Sequence, residues 1–212
     1  MKKQLKKEIE KFKDWSKNYS NIPESKRVGE WEMEYEQWQI IEELFNDFLK
    51  TKNYKNWSID DIKNVLYLIA RNNEMEEFIE DVINEQPQSI ELLIKKSFEF
   101  GESNAKWQIA INLGKVLNIE NTKKYLEKYL NDENEYVRRR ALLEIGKLNH
   151  PKIENFCKKA WNEEDEWQEY QRIAVLHVLK ASNSPELEKF YTLAKEDGRQ
   201  YLIMNMEELK EK

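Results

Sequence analysis

The feature that most restricts the fold of this chain is an internal repeat in its C-terminal half. Placing Gly114 over Gly146, 32 residues apart, aligns similar residues, and a third copy follows at a separation of 33. The matched segments run over 105–116, 137–148 and 170–181. A unit of this length has room for two helices but cannot bury both of their faces alone. Each unit must therefore stack on its neighbours.

Composition and periodicity predict helices along the whole chain. Five glycines and four prolines in 212 residues are too few for a sandwich or barrel, which needs a turn every ~8–12 residues. Apolar residues recur at three- and four-residue intervals in 3–17 and from about Trp31 to Lys50, and Ser58 with Asp61 forms a capping-box pattern. We predict an all-α single domain over 1–212, with an N-terminal helical cap over 1–56 and stacked helical hairpins over 57–210.

The middle copy of the repeat carries a recognisable motif. Asp132 is followed by Val137-Arg138, a small Ala141 and an Ile-Gly-Lys-Leu end at 145–148. This pattern resembles the second-helix signature of HEAT repeats, and the resemblance is best over residues 88–181. It implies a right-handed α-α superhelix, a HEAT-like solenoid of about twelve helices. In that family the Asp and Arg usually form a ladder of hydrogen bonds between adjacent repeats, which would make Asp132 and Arg138 structural. The flanking copies place Lys106 and Gln171 at the arginine position, so the ladder is expected to be incomplete.

Residues with obvious chemistry are scarce. The glycines are isolated, which excludes phosphate-binding loops of the GxGxxG or P-loop kind. The two histidines, His150 and His177, have no HExxH context, and Cys157 is the single cysteine. Cys157 lies among apolar residues and is expected to be a buried core thiol. We predict no catalytic residue, no metal site and no cofactor.

The resemblance also implies where a partner would bind. In a HEAT-like stack the second helices line the concave face, so polar residues on these helices are candidates for a binding strip. Trp107 and Trp167 fall in the first turns of second helices and are predicted to be exposed anchors. The alternative, that these positions are ordinary solvated helix residues, remains open. The candidate strip is Lys106, Trp107, Asn112, Arg138, Glu144, Trp167, Gln171 and His177.

Charge and location set limits on partners. Lys and Arg total 35 against 41 Asp and Glu, a net charge of −6, which makes nucleic acid an unlikely partner. Acidic stretches at 30–43, 74–85 and 163–169 could attract a basic protein or could only confer solubility. The single cysteine fits a reducing compartment, and no apolar run reaches the ~18 residues of a membrane helix. We therefore expect a cytoplasmic protein with no membrane contact.

Three functions remain open at this point. The first is a non-enzymatic scaffold or adaptor that binds a protein or peptide on its concave face, with an immunity or antitoxin-type inhibitor as a special case. The second rests on the HEAT-like alkylpurine DNA glycosylases, which resemble this chain in size and expected fold. The third is a self-assembling structural protein or homodimer that associates through exposed aromatic residues such as Trp31, Tyr35 and Trp38.

Overall fold

The computed structural model describes residues 1–20, 35–72 and 75–211. Over these residues it is all-helical, with twelve α-helices and no strand. No helix of this described portion has the length and apolar character needed to cross a membrane. The helices are α1 (Lys3–Ser20), α2 (Trp38–Thr51), α3 (Ile59–Arg71), α4 (Glu77–Glu85), α5 (Ile90–Phe100), α6 (Ser103–Val116), α7 (Ile119–Tyr129), α8 (Glu135–Gly146), α9 (Ile153–Asn162), α10 (Gln168–Ala181), α11 (Leu187–Asp197) and α12 (Gln200–Glu211).

The chain forms two compact units, and the boundary between them falls inside α6. Unit 1 comprises 1–112 and unit 2 comprises 113–212. Each unit has its own buried side chains. Each is described separately below.

Aromatic packing forms the core of unit 1. The Phe12 ring of α1 lies 5.3 Å from the Tyr35 ring and 5.1 Å from the Trp38 ring, centroid to centroid. Trp38 in turn stacks on Phe78 of α4 at 5.5 Å. Tyr35 and Trp38 are both buried, so neither supplies the exposed aromatic surface that the self-assembly hypothesis uses. Trp31, the third residue of that hypothesis, lies outside the described residues.

The predicted capping box at the start of α3 is confirmed. The Asp61 backbone N–H donates to Ser58 Oγ at 3.2 Å, and the Ser58 backbone N–H donates to Asp61 Oδ2 at 2.8 Å. Lys52 Nζ lies 2.7 Å from the same carboxylate, and the Met1 amine is 2.5 Å from Oδ1. Burial alone would raise the pKa of Asp61, but these hydrogen bonds outweigh it and hold the pKa well below its usual range.

Three helical hairpins build unit 2. Helix α7 packs on α8, α9 on α10, and α11 on α12, so each hairpin joins a first helix to a second helix. Helix α10 also packs directly against both α8 and α12. The three second helices therefore form one layer with α10 at its centre.

Gly146 permits the close approach of α8 and α10. A Cβ atom added at this position would lie 2.9 Å from both Cγ atoms of Val178, closer than side chains tolerate. Gly114, its counterpart in the repeat, has no atom within 4 Å of the same added Cβ. The two aligned glycines therefore have different roles, since only Gly146 is required by packing.

Replacing each glycine by alanine separates these roles. We expect Gly146→Ala to lower the free energy of unfolding by about 1–3 kcal/mol through overpacking against Val178. Gly114→Ala should instead raise it, by up to about 1 kcal/mol, because alanine favours the helix. Urea denaturation of both variants measures the difference. In the Gly146→Ala background, adding Val178→Ala should restore part of the lost stability, because it removes the two Cγ atoms that the new Cβ meets. A Gly146→Ala protein as stable as the unmodified one would show that α8 and α10 do not pack at this distance.

Candidate functional site

The three predicted binding residues of unit 1 are not exposed. Lys106, Trp107 and Asn112 are all buried on α6, and Trp107 is only 4% exposed. The indole N–H of Trp107 donates to Asn104 Oδ1 at 3.3 Å, and the Asn112 amide donates to the Gln108 carbonyl at 2.8 Å. The prediction that Trp107 is an exposed anchor is therefore wrong, because its side chain is almost fully buried.

The predicted residues of unit 2 divide into two groups. Gln171 is 1% exposed and Arg138 is largely covered, so both face neighbouring helices. Trp167 is 50% exposed and His177 is also exposed, while Glu144 is half-buried and pairs with Lys147. A single strip of these residues does not form, and only Trp167, His177 and part of Glu144 face solvent.

Arg138 links adjacent hairpins through two carboxylates of the next hairpin. Its Nε donates to Glu163 Oε2 at 2.9 Å, and Nη2 lies 3.6 Å from Asp165 Oδ2. Its Nη1 donates to the backbone carbonyls of Asp132 and Glu133. The Asp132 side chain accepts from the Asn134 backbone N–H. Arg138 therefore ties its own hairpin to the end of α9 in the next one.

The same link recurs in the next hairpin. Arg172 pairs with Asp197 at the end of α11, and it lies 34 residues after Arg138, as Asp197 lies 34 residues after Glu163. The sequence alignment placed Gln171 at this position and predicted an incomplete ladder. That prediction is wrong at this position, because the arginine follows one residue later. We call Arg138–Glu163 and Arg172–Asp197 the arginine–acid pairs.

A cavity of about 80 Å³ lies among α7, α8, α9 and α10. Leu142, Phe156 and Ala160 form part of its apolar wall, and Arg138 and Gln171 also line it. The Gln171 amide N–H₂ donates to the Ala160 carbonyl at 3.0 Å and to Glu163 Oε2 at 2.8 Å. Arg138 and Gln171 of the predicted strip therefore lie at the junction between hairpins.

Large exposed side chains form a different surface on the second helices. They lie in the first or second turn of α8, α10 and α12, or just before α10 begins, and are exposed although they are large and mostly aromatic. We call this set the aromatic face. It consists of Tyr136, Trp167, Tyr170, Tyr201 and Met204.

Contacts between α8 and α10 place Tyr136, Trp167 and Tyr170 on a common side of unit 2, and helical spacing on α12 adds Tyr201. The Arg139 guanidinium lies 4.8 Å from the Tyr136 ring centroid and 5.6 Å from that of Tyr170, which connects α8 to α10. The Trp167 and Tyr170 centroids are 6.1 Å apart. On the same exposed side, His177 of α10 approaches Asn205 of α12 at 3.4 Å. Tyr201 lies one turn before Asn205, so its ring belongs to this surface.

Some of the charged side chains that border the aromatic face have ion-pair partners, and others do not. Arg139 pairs with Glu135 at 2.8 Å, and Arg199 pairs with Asp197 at 2.6 Å. The nearby exposed carboxylates have no ion pair or hydrogen bond to another described residue. These carboxylates are Glu133, Glu164 and Glu166.

A regular spacing marks the aromatic face in the sequence, although the alignment at 33 residues missed it. Tyr136, Tyr170 and Met204 are spaced 34 apart, as are Trp167 and Tyr201, and all five are exposed. The alignment at 33 instead pairs exposed Tyr170 with buried Val137. The sequence signal that could have identified this surface is a large side chain that recurs every 34 residues outside the apolar stripe of the second helices.

The thiol and imidazole groups show no arrangement suited to nucleophilic chemistry. Cys157 is buried, and this burial raises the pKa of its thiol to about 12, so it is protonated at neutral pH. His150 is buried with Nε2 3.0 Å from Glu127 Oε1, while Nδ1 accepts from the Lys152 backbone N–H. Among the described residues, no group of three or more His, Cys, Asp or Glu side chains could hold a metal ion.

Comparison with known proteins gives no relative. No protein-family model matches the chain, no curated protein matches its sequence, and no solved structure matches its fold.

The arginine–acid pairs can be tested by removing one arginine. Arg138→Met removes the guanidinium that contacts both Glu163 and Asp165, and Glu163 keeps only the Gln171 amide and Lys159. We expect the free energy of unfolding to fall by about 2 kcal/mol because these groups are partly buried. Lys147→Met, which breaks the exposed pair with Glu144, should cost about 0.5 kcal/mol or less. Urea denaturation measures both losses. Equal losses would show that Arg138 does not hold the hairpins together.

The Arg172–Asp197 pair predicts that the free energy of unfolding depends on pH. Hydrogen bonds from Arg199 lower the pKa of Asp197 to about 2, against the opposing effect of burial and with further help from Arg172. Because the folded-state pKa lies below the unfolded value of about 3.9, this stabilisation is complete above about pH 5 and is lost as the pH falls toward 2.

Asp197→Asn removes the titrating group. We expect it to lower the free energy of unfolding by about 1–2 kcal/mol at pH 7, and the difference from the unmodified protein should shrink steadily below pH 4. Urea denaturation at several pH values gives both curves. A difference that stays constant down to pH 3 would contradict an ionised, paired Asp197.

Proposed function

We propose that this protein is a non-enzymatic protein-binding module whose binding surface is the aromatic face of unit 2. The observation that supports this is the row of five large exposed side chains on three neighbouring second helices. Exposed clusters of this kind mark interaction sites, and Trp and Tyr are the residues that most often dominate binding energies.

Two of the rings, those of Tyr136 and Tyr170, contact a paired arginine before any partner binds. Arg139 lies between Tyr136 and Tyr170 and is itself fixed by Glu135. Rigid side chains lose little conformational entropy on binding, so more of the contact energy contributes to affinity. An extended row on a helical layer matches a peptide or protein segment better than a small molecule, which needs a concave pocket.

We also propose that the hairpins continue as a right-handed HEAT-like superhelix, with the second helices on its concave side. The 34-residue spacing of the arginine–acid pairs and the side-by-side order of α8, α10 and α12 support this arrangement. The buried free thiol of Cys157 is compatible with a cytoplasmic module. An inhibitor of the immunity or antitoxin type would be one protein of this class.

The proposal can be tested with Trp167→Ala/Tyr201→Ala and a matched control. Ile119→Ala is suitable, because Ile119 is 53% exposed in the same unit but lies on α7, a first helix. Peptides would be selected from a random displayed library on the unmodified protein, and their affinities for all three proteins measured by calorimetry. We expect the double variant to bind them at least tenfold more weakly, since removing hot-spot rings costs about 2 kcal/mol or more.

The control variant should bind the selected peptides within about twofold of the unmodified protein, since surface changes outside a site have small effects. Equal binding by all three proteins would overturn the aromatic face as the site. If no peptide is selected and light scattering instead shows a dimer that Trp167→Ala/Tyr201→Ala abolishes, the face mediates self-association.

A further inference from the structure

The aromatic face and its bordering carboxylates together point to the chemistry of the partner. Resting on the proposed function, we infer that the aromatic face binds an arginine-bearing protein segment, whose guanidinium groups stack on Trp167 and Tyr201 and pair with Glu164 and Glu166. Three independent features of unit 2 support this choice of partner.

The first feature is unbalanced charge around the rings. Three arginines lie near the face: Arg139 pairs with Glu135, Arg199 pairs with Asp197, and the Arg140 guanidinium lies 5.8 Å from the Tyr136 ring centroid. Glu164 and Glu166, which shortly precede Trp167 in the sequence, are exposed and have no ion-pair partner among the described residues, and the same holds for the Glu133 side chain near Tyr136. The part of the face around Trp167 therefore presents carboxylates with no ion-pair partner beside an exposed ring, which attracts and orients a cationic segment.

The second feature is that this surface already holds a guanidinium in the required way. The Arg139 side chain stacks between Tyr136 and Tyr170 while its Nε donates to Glu135 at 2.8 Å. Trp167 and Tyr201 are more exposed than either of those rings, and no cation lies over them among the described residues. An incoming arginine at Trp167 would continue the existing alternation of rings and guanidinium groups, and tryptophan is the best ring for a cation–π contact.

The third feature is the cost that other partners would incur. A neutral segment covering the face would desolvate the bordering carboxylates without pairing them. A second copy of this chain, related by twofold symmetry, would bring the same carboxylates of both copies together. Nucleic acid would add its own phosphate charge to theirs. Arginine is favoured over lysine because its planar group both stacks on a ring and forms paired hydrogen bonds to a carboxylate.

Synthetic peptides provide a direct test with defined probes. Four peptides of equal length would carry arginine, lysine, glutamine or glutamate at alternate positions, with leucine and serine between them. Their affinities for the full chain would be measured by calorimetry at low and at physiological salt. We expect the arginine peptide to bind tightest, the lysine peptide about three- to tenfold more weakly, and the other two not measurably.

Three variants locate the site. Trp167→Leu keeps an apolar side chain but removes the ring. Glu164→Gln/Glu166→Gln removes two negative charges. Each variant should bind the arginine peptide about tenfold more weakly, the equivalent of 1.4 kcal/mol. The charge variant should also show a weaker salt dependence. Glu188→Gln/Glu196→Gln makes the same change in charge at exposed positions on α11 and should bind within twofold. Thermal unfolding checks that all variants fold.

The possible results separate this inference from the proposed function. If the glutamine peptide binds as tightly as the arginine peptide and Trp167→Leu weakens both, the aromatic face is a binding site but its preference for arginine is overturned. Equal weakening by Glu164→Gln/Glu166→Gln and Glu188→Gln/Glu196→Gln would reveal only a general effect of net charge and would also overturn it. Absence of binding by the arginine peptide overturns it directly, while the library selection still tests the face.

Discussion

The burial of α10 between α8 and α12 is the interaction on which unit 2 depends. Ala174, Val175, Leu176, Val178 and Leu179 of α10 are all buried. Each large apolar side chain buried in this way contributes about 1.5–3 kcal/mol, more than an individual exposed ion pair. The apolar contacts therefore provide most of the stability. The arginine–acid pairs add specificity to this packing, since Arg138 contacts Glu163 and Asp165 of the next hairpin and Arg172 contacts Asp197 of the hairpin after it.

The aromatic face is a consequence of this packing. A helix in the middle of a layer has neighbours on both sides and a first helix beneath it, so only one narrow stripe is left for solvent. On α10 that stripe includes Tyr170 and His177, and on α12 it includes Tyr201 and Asn205. In an ordinary soluble helix such positions are polar. Here large rings occupy several of them, which is why we interpret the stripe as a binding surface and not as a solvated one.

Residue pattern predicted the helical architecture better than it predicted the surface. The capping box at Ser58 and Asp61 and the buried thiol of Cys157 follow from local sequence, and both are present in the structure. Trp107 was predicted to be exposed but is buried, and Tyr35 and Trp38, which the self-assembly hypothesis requires at the surface, are buried as well. A tryptophan in the first turn of an amphipathic helix can face either side, because a change of one residue in register rotates it by about 100°.

The sequence by itself determined that the chain is helical and that a two-helix unit recurs in its C-terminal half, because helical periodicity and turn residues are local properties. Only the tertiary structure decided which aromatic residues face solvent and which arginine meets which acid. Aligning the repeats at 33 or at 34 residues gives nearly the same local pattern of apolar and polar residues. The first offset places Gln171 under Arg138 and the second places Arg172 there, and it is Arg172 that contacts Asp197. That choice depends on how neighbouring helices pack, which involves contacts between residues distant in the chain.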